Sequence, residues 1–374
     1  MKKILYITAF VPSKTSAGEN FSRQLIDDIA RENIVDLVFF RYSSDSDFIR
    51  NSENIKIVRQ FKNNSFIKFL NCLMFPFFFP LFTVRFNISR LLFLRKLITR
   101  NNYDTILMDF SQTFIYSVFI SHKHIILNCH DVIAQRYSRI YGGLFKPFVT
   151  FTENTIFNKS KAIIFCHSHK DKRLIHDLYG IEANVTSLYF DKTVKETFPD
   201  YCGNYFVFFA NWRRPDNSDG LKWFLKSVYP FLGNDLYVKI IGSGLPAGLL
   251  ADMKRYSKIE YMGFLENPYP VISNARALIS PLFTGAGIKV KVMESLACGT
   301  PVIGTRISFE GIPEIFGDYL INAEDQNSFI TRITEFKIQL SDKQRLKALF
   351  LSYNMNNSLK EAILQENVSK KTNY

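Results

Sequence analysis

The chain has 374 residues, 47% hydrophobic and 22% charged, a composition that excludes a disordered polymer and is long enough for two cores of ordinary size. Its formal net charge of +13 calls for an anionic partner: nucleic acid, anionic lipid or phosphorylated substrate. The five cysteines (Cys72, Cys129, Cys166, Cys202, Cys298) are odd in number and lack metal-ligand spacing, so they read as buried thiols in a reducing compartment.

Met1-Lys2-Lys3 leads into a short strand, Lys3–Thr8, with no small-residue cleavage site behind it. The expectation is therefore a cytoplasmic protein without a signal peptide. A loop through Pro12 and Gly18 follows, then a helix from Glu19 to about Arg31 and a strand over Ile34–Phe40. Between Glu53 and Asp104 stand nine Lys or Arg and no acid, together with ten of the 37 Phe. That segment carries most of the excess charge. Its run Phe69–Val84 holds Pro76 and Pro80 and is too short to cross a bilayer, which takes roughly 20 residues. Phe75, Phe77, Phe78, Phe79 and Phe82 suit shallow burial, and Ile88–Ile98 reads as a helix with Ile88, Leu91, Leu92 and Leu94 beside Arg90, Arg95 and Lys96. The expected role is docking on an anionic membrane surface at the inner face of the cell membrane. The competing reading is that these aromatics are ordinary core.

Further strands are expected over Thr105–Asp109, His124–Cys129 and Ala162–Cys166. Each is a continuous apolar run, the pattern of parallel strands buried on both faces. His130 follows one of them, in Asn128-Cys-His-Asp131, and is read either as an active-site group or as a turn-capping or core histidine. His122, His124, His167, His169 and His176 have no such position and are given no role. A second alternating series has strands over Tyr205–Ala210, Leu236–Ile241, Ile259–Met262, Ala277–Ser280, Pro301–Gly304 and Tyr319–Ile321, with helices such as Leu221–Val228 and Lys291–Ala297 between. The expected division is a domain over 1–190, a polar linker over 191–203, a second domain over 204–355, and a C-terminal helix and tail over 356–374.

The stretch Ser280–Thr305 carries the most chemistry. A strand ends at Pro281, a glycine loop follows, and a helix begins near Lys289. Backbone N–H groups at such a helix start favour an anion, and Gly285 and Gly287 let a phosphate approach the main chain. Lys289 and Lys291 add positive charge, and Glu294 falls on roughly the same helix face as Lys291, where a carboxylate can accept paired hydrogen bonds from a ribose diol. The plainer reading makes the glycines a strand-to-helix turn and leaves Glu294 and the lysines solvated.

The whole run Gly285-Ala-Gly-Ile-Lys-Val-Lys-Val-Met-Glu294, followed by Ala297-Cys-Gly-Thr-Pro-Val302, resembles the family 4, group 1 glycosyltransferases of the GT-B fold. Phe208–Asn217, Ile241-Gly-Ser-Gly244, Tyr261-Met-Gly263, Phe309-Glu-Gly-Ile312, Asn128–Asp131 and Ser16-Ala-Gly-Glu19 resemble its other landmarks in order, so the resemblance spans nearly the whole chain. It implies an α/β protein with two tandem Rossmann-like parallel-sheet domains facing a cleft. It also implies retaining transfer of a sugar from a nucleotide-sugar donor to a glycan or lipid-linked acceptor in cell-surface polysaccharide biosynthesis.

On this reading the donor meets Ala210, one of Arg213 and Arg214, Gly285, Ala286, Gly287, Ile288, Lys289, Lys291, Glu294 and Glu310. Gly18 and Asp131 lie on the acceptor side, and His130 and Glu294 are the catalytic pair. Lys289 is read with equal force as a solvated helix-start residue, and Glu310 as a cap of the turn before Gly311. The chain departs from the family's usual pattern at Ala286, where many members carry a glutamate facing the donor sugar, at Ala210, where glycine is usual, and at Asp216, interposed before Asn217. No metal and no cofactor are expected, since the nucleotide-sugar is a substrate and Asp45-Ser-Asp47 is only a polar loop. Two other readings stand beside this one: a nucleotide-sugar epimerase of the same fold, and a non-catalytic sugar-nucleotide-binding protein. Nucleic-acid binding comes last, because no recognition motif accompanies the charge.

Overall fold

The apolar runs assemble into two all-parallel sheets in the computed structural model, which describes every residue except 15, 44, 46, 49, 191, 234, 354–357 and 366–374. The first sheet takes β1 (Lys3–Thr8), β2 (Ile34–Arg41), β3 (Ile55–Lys62), β4 (Thr105–Asp109), β5 (Ile125–Cys129), β6 (Ile163–Cys166) and β7 (Asn184–Val185) in the order β3-β2-β1-β4-β5-β6-β7. The second takes β8 (Tyr205–Phe209), β9 (Tyr237–Ile241), β10 (Ile259–Gly263), β11 (Leu278–Ser280), β12 (Val302–Gly304) and β13 (Leu320–Asn322) in the order β10-β9-β8-β11-β12-β13. Strand order reverses between β1 and β4 and between β8 and β11. Those are the switch points at whose carboxyl ends open α/β sheets hold ligands. All five residues of β4 and of β5 are buried, as the unbroken apolar runs require.

Two strands lie outside the sequence expectation. β3 forms from the basic segment, as the edge of its sheet, burying only Ile55 and Phe61 and leaving Lys56, Arg59 and Lys62 exposed. A charged edge strand of this kind resists pairing with another chain. β7 is a two-residue edge beside β6.

The chain divides into two compact units, 1–189 with 355–374, and 190–354. The stretch read as a linker carries a short helix, Lys192–Glu196, and lies within the second unit. Of the stretch read as a tail, the helix Ser358–Leu364 packs in the first unit: Thr105 Oγ1 donates to Ile363 O at 2.9 Å and Ser358 Oγ to Val185 O at 2.8 Å. Residues 356–357 and 366–374 of that tail, and the middle residue of Asp45–Asp47, lie outside the described residues.

The basic, Phe-rich segment is split between core and surface. Phe79, Phe82 and Phe86 are buried, Phe75 and Phe78 pack half-buried against the same core, and Phe77 is 79% exposed. Arg85 and Arg90, expected at a lipid surface, are buried instead. Arg85 Nε donates to Ala9 O at 2.8 Å, and Arg90 donates to Arg85 O, Lys62 O and Asn63 Oδ1 at 2.8–3.0 Å while lying over the rings of Phe40 and Phe61. A guanidinium has donors enough to satisfy several loop carbonyls at once, which is why these two point inward. On the helix Ile88–Arg100, Leu91 and Leu94 also face the core, leaving Ile88, Leu92, Arg95 and Lys96 outside.

Candidate functional site

In the second unit the site grows from the loops after β8 and β11. Asn211–Arg214 leaves β8 and opens the helix Pro215–Trp223, and the glycine loop leaves β11 and opens the helix Val290–Ala297. The two elements touch closely because Gly220 has no side chain: a Cβ there would stand 2.2 Å from Pro281 O. Gly285 and Gly287 take φ of 121° and 69°, so the loop turns as only glycine does readily and brings its main chain to the helix start. The far end of the site helix is held by buried lysines of the helix Leu340–Ser352: Lys347 Nζ donates to Ala297 O at 2.7 Å and Lys343 Nζ to Thr300 Oγ1 at 2.9 Å.

The structure brings together most of the residues read as donor-binding. Lys289 is the N-cap, its Nζ folded back on Gly287 O at 2.7 Å and Ala286 O at 3.3 Å. Lys291 Nζ reaches across to Asn217 Oδ1 at 2.9 Å, and Asn217 Nδ2 donates to Asn211 O at 2.9 Å. Burial, then the positive charges of Arg214 and Lys289, bring the Lys291 ammonium down to about 7. Arg214 points to the glycine loop: its Nη2 lies 3.2 Å from Asp216 Oδ2, and Thr284 Oγ1 donates to Asp216 Oδ1 at 3.1 Å. Arg213 runs instead along Gly244, where a Cβ would approach its Cγ to 2.3 Å. Ala210 is buried at the end of β8, and Ile288 is half-buried. Glu310 closes the turn Arg306–Phe309 after β12, ahead of Gly311 at φ 77°.

Glu294 departs from the plainer reading that left it solvated. Far from lying open, it is 9% exposed, and its Oε1 accepts the Tyr269 hydroxyl at 3.1 Å. Tyr269 was not visible as a partner because it sits 25 residues away on a different helix.

In the first unit, His130 Nε2 lies 2.7 Å from Asp109 Oδ1 and its ring stacks on Phe110, centroids 4.0 Å apart and planes 8° from parallel. Asp109 ends β4 and is fully buried; it also accepts from Tyr6 Oη at 2.8 Å, Asn128 Nδ2 at 2.8 Å and the Ser22 hydroxyl. Burial pushes its carboxyl up, but the His130 charge and the bonds from His130, Ser22 and Tyr6 outweigh that and hold it below the ordinary value. A carboxylate at this position accepts Nε2–H and leaves Nδ1 for other chemistry. Gly18 explains the clearance on that side: a Cβ there would stand 3.0 Å from Phe110 Cε1 and 3.9 Å from His130 Nδ1. Phe110 is held at φ 68°, a strained conformation for a bulky residue and a mark of a position fixed by its surroundings. Asp131 turns to Arg136, at 3.3 Å. The Glu153 carboxylate accepts the N–H groups of Ile133 and Ala134 at 2.9 and 3.0 Å, pinning the helix that follows.

His167, given no role by the sequence reading, belongs to this cluster. It is buried with its ring 5.0 Å from His130 and 4.8 Å from Phe21, and burial and then His130 bring it down to about 3, so it stays neutral. Among the described residues no group of three His, Cys, Asp or Glu is placed to hold a metal ion.

Residues 203–336 match the sequence profile described as "Glycosyl transferases group 1". Over 277 residues, 68% of this chain and 70% of the relative, the chain is 22% identical to an "Uncharacterized 44.6 kDa protein in cps region" of Klebsiella pneumoniae. Similar solved structures include sucrose-phosphate synthase of Thermosynechococcus elongatus, with a TM-score of 0.69, 12% identity, and 97% and 94% of the two chains covered. HepE of Anabaena, in complex with UDP and glucose, gives a TM-score of 0.66 at 14% identity over 96% and 97%. WaaG, a glycosyltransferase of lipopolysaccharide biosynthesis, gives 0.66 at 11% identity over 98% and 100%. The fold is therefore GT-B, and the protein is a glycosyltransferase. Its residues 203–336 are a group 1 glycosyltransferase domain.

Proposed function

We propose that the protein moves a sugar from a nucleotide-sugar donor to a glycan or lipid-linked acceptor in cell-surface polysaccharide biosynthesis, with retention and without a metal ion. The observation that carries this reading is the convergence, within one unit, of the glycine loop, the helix start at Val290, Arg214, Lys289 and Lys291, with the buried Glu294 one turn further on. As the C1–O bond of the donor breaks, negative charge grows on the leaving nucleoside diphosphate. Fixed amides and cations stabilise that charge without reorganising. UDP and glucose in HepE support a nucleoside diphosphate sugar as donor, and the cps-region relative supports the polysaccharide role. The test is Glu294→Gln. It keeps shape and an acceptor for Tyr269 but weakens charge-assisted bonds to a ribose, so donor affinity should fall by about 1.5–3 kcal/mol. Unchanged donor binding and turnover, measured by calorimetry and by release of nucleoside diphosphate, would remove Glu294 from the site.

The lipid-linked acceptor and the inner-membrane location rest on the first unit's surface. Phe66, Phe69, Leu70, Leu73 and Met74 are exposed on the helix Ser65–Met74, next to Phe77. Leu144, Phe145 and Phe151 are exposed on the neighbouring helix Lys146–Ser160 and the turn before it, which Phe79 joins through its N–H to Thr152 Oγ1 at 2.8 Å. Lys56, Arg59, Lys62, Arg95 and Lys96 are among the solvent-facing cations of the segment. No described helix is long and apolar enough to cross a membrane. Shallow insertion with about 1 kcal/mol of attraction per cation at an anionic surface fits this composition. The protein should float with vesicles containing about a third phosphatidylglycerol at low salt and lose them at high salt. Substituting those five cations by Gln should weaken flotation at least tenfold; flotation indifferent to lipid charge and to the substitutions would defeat the docking model.

A further inference from the structure

Three cations converge on the glycine loop, and one carboxylate stands among them. Asp216 belongs to the first turn of the helix Pro215–Trp223 and is not part of that helix's core, its side chain being 23% exposed. Its two oxygens are both engaged at the site: Oδ2 with Arg214 Nη2 at 3.2 Å and Oδ1 with Thr284 Oγ1 at 3.1 Å. At Gly285 the same Oδ2 and the Lys289 ammonium are equally near, each 3.9 Å from where a Cβ would stand. The carboxylate therefore occupies space beside the loop amides, and its partners, Arg214 and the mouth of the glycine loop, are groups that an oxyanion of a ligand would seek.

We propose that Asp216 is an internal counter-anion that a nucleoside diphosphate displaces on binding; this rests on the donor-site reading given above. Arg214 and Lys289 act on Lys291 as like charges, a repulsion that a half-buried site makes costly, and Asp216 acts on it in the opposite direction. With Asp216 in place, part of that positive charge is offset by the chain itself. An incoming diphosphate takes over the same cations and amides, and two like-charged groups cannot share them, so Asp216 turns away. The exchange sets the affinity below what the cations alone would give, and it favours release of the nucleoside diphosphate product, because the carboxylate returns as the product leaves.

The test is Asp216→Asn, which retains an acceptor for Thr284 Oγ1 while removing the charge, with Asp216→Ser as a second variant and thermal unfolding as the check of folding for both. UDP, GDP, ADP and inorganic pyrophosphate are titrated by calorimetry at pH 6, where Lys291 of the wild type carries its charge. The expected result is that both variants bind whichever diphosphate the wild type binds about tenfold more tightly, pyrophosphate included, and that product inhibition strengthens in parallel. Equal or weaker binding by folded variants overturns the counter-anion assignment and leaves the donor site standing. A wild type that binds none of the four overturns the donor-site reading, and this proposal with it.

Discussion

His130→Ala is expected to lower turnover by about 10²–10³-fold while leaving nucleoside diphosphate affinity within about threefold. The two measurements separate because His130 stands at the carboxyl end of β5 in the first unit, whereas the groups proposed to bind the diphosphate belong to the second. The pair His130–Asp109, 2.7 Å apart, gives the expectation a second arm. An ionised Asp109 can only accept, so it draws the proton to Nε2 and leaves Nδ1 as the atom available beside Gly18. Asp109→Asn replaces that obligate acceptor with a group that can also donate, and the wrong tautomer follows. Turnover should fall by about 10–100-fold, and the double variant His130→Ala, Asp109→Asn should be no worse than His130→Ala alone, since a residue acting through His130 has nothing left to position. Equal losses of turnover and diphosphate affinity in His130→Ala would mark a folding defect. A double variant showing the product of the two single losses would mean that Asp109 acts on its own account.

The contrast between these two residues shows what a linear sequence discloses. The glycine loop and the helix it opens could be read directly, because Gly285, Gly287, Lys289, Lys291 and Glu294 fall within ten consecutive residues and their geometry is set by local turns. Asp109 stands 21 residues from His130 and looks, in sequence, like the polar end of an apolar strand. A carboxylate closing a buried strand beside the switch point is a usable signal, but it says nothing of its partner until β4 and β5 are set side by side. Asp216 similarly read as an interposed residue, and only the approach of helix and loop at Gly220 gives it Thr284 as a neighbour. The basic segment misled in the opposite sense. Counting nine cations without an acid treats every one as solvated, yet Arg85 and Arg90 lie 4% and 7% exposed because loop carbonyls inside the first unit need their donors. The same charges hid β3, whose edge position lets it alternate with Lys and Arg where a central strand would not. Fold class was legible because long buried strands and helices alternate strongly enough to survive such local errors.

Lys291 supplies the expectation with the widest reach in pH. Its ammonium is brought down to about 7 by burial, then by Arg214 and Lys289, with Asp216 acting in the opposite direction. At the proposed donor site a bound diphosphate would be a strong anion beside the ammonium and raise its pKa, so the complex would hold a proton that the free protein releases above pH 7. Affinity is then complete below about pH 7 and declines as pH rises, approaching tenfold per unit until the pKa of the complex is reached. Stability runs the other way. The folded pKa is depressed relative to the ordinary 10.5, the unfolded chain holds more protons between about 7 and 10.5, and this one group therefore favours folding increasingly across that window. Below pH 7 the unliganded fold carries a half-buried charge with no compensating ligand. Lys291→Gln should accordingly raise the melting temperature of the ligand-free protein at pH 6, flatten the pH dependence of diphosphate affinity, and lower that affinity at least tenfold at pH 6 with little change at pH 9. Calorimetry in two buffers of different ionisation enthalpy reads the proton taken up on binding. Uptake near one proton at pH 8 in the wild type and near zero in Lys291→Gln is the expected pattern, and equal uptake in the two proteins would move the titrating group elsewhere in the site.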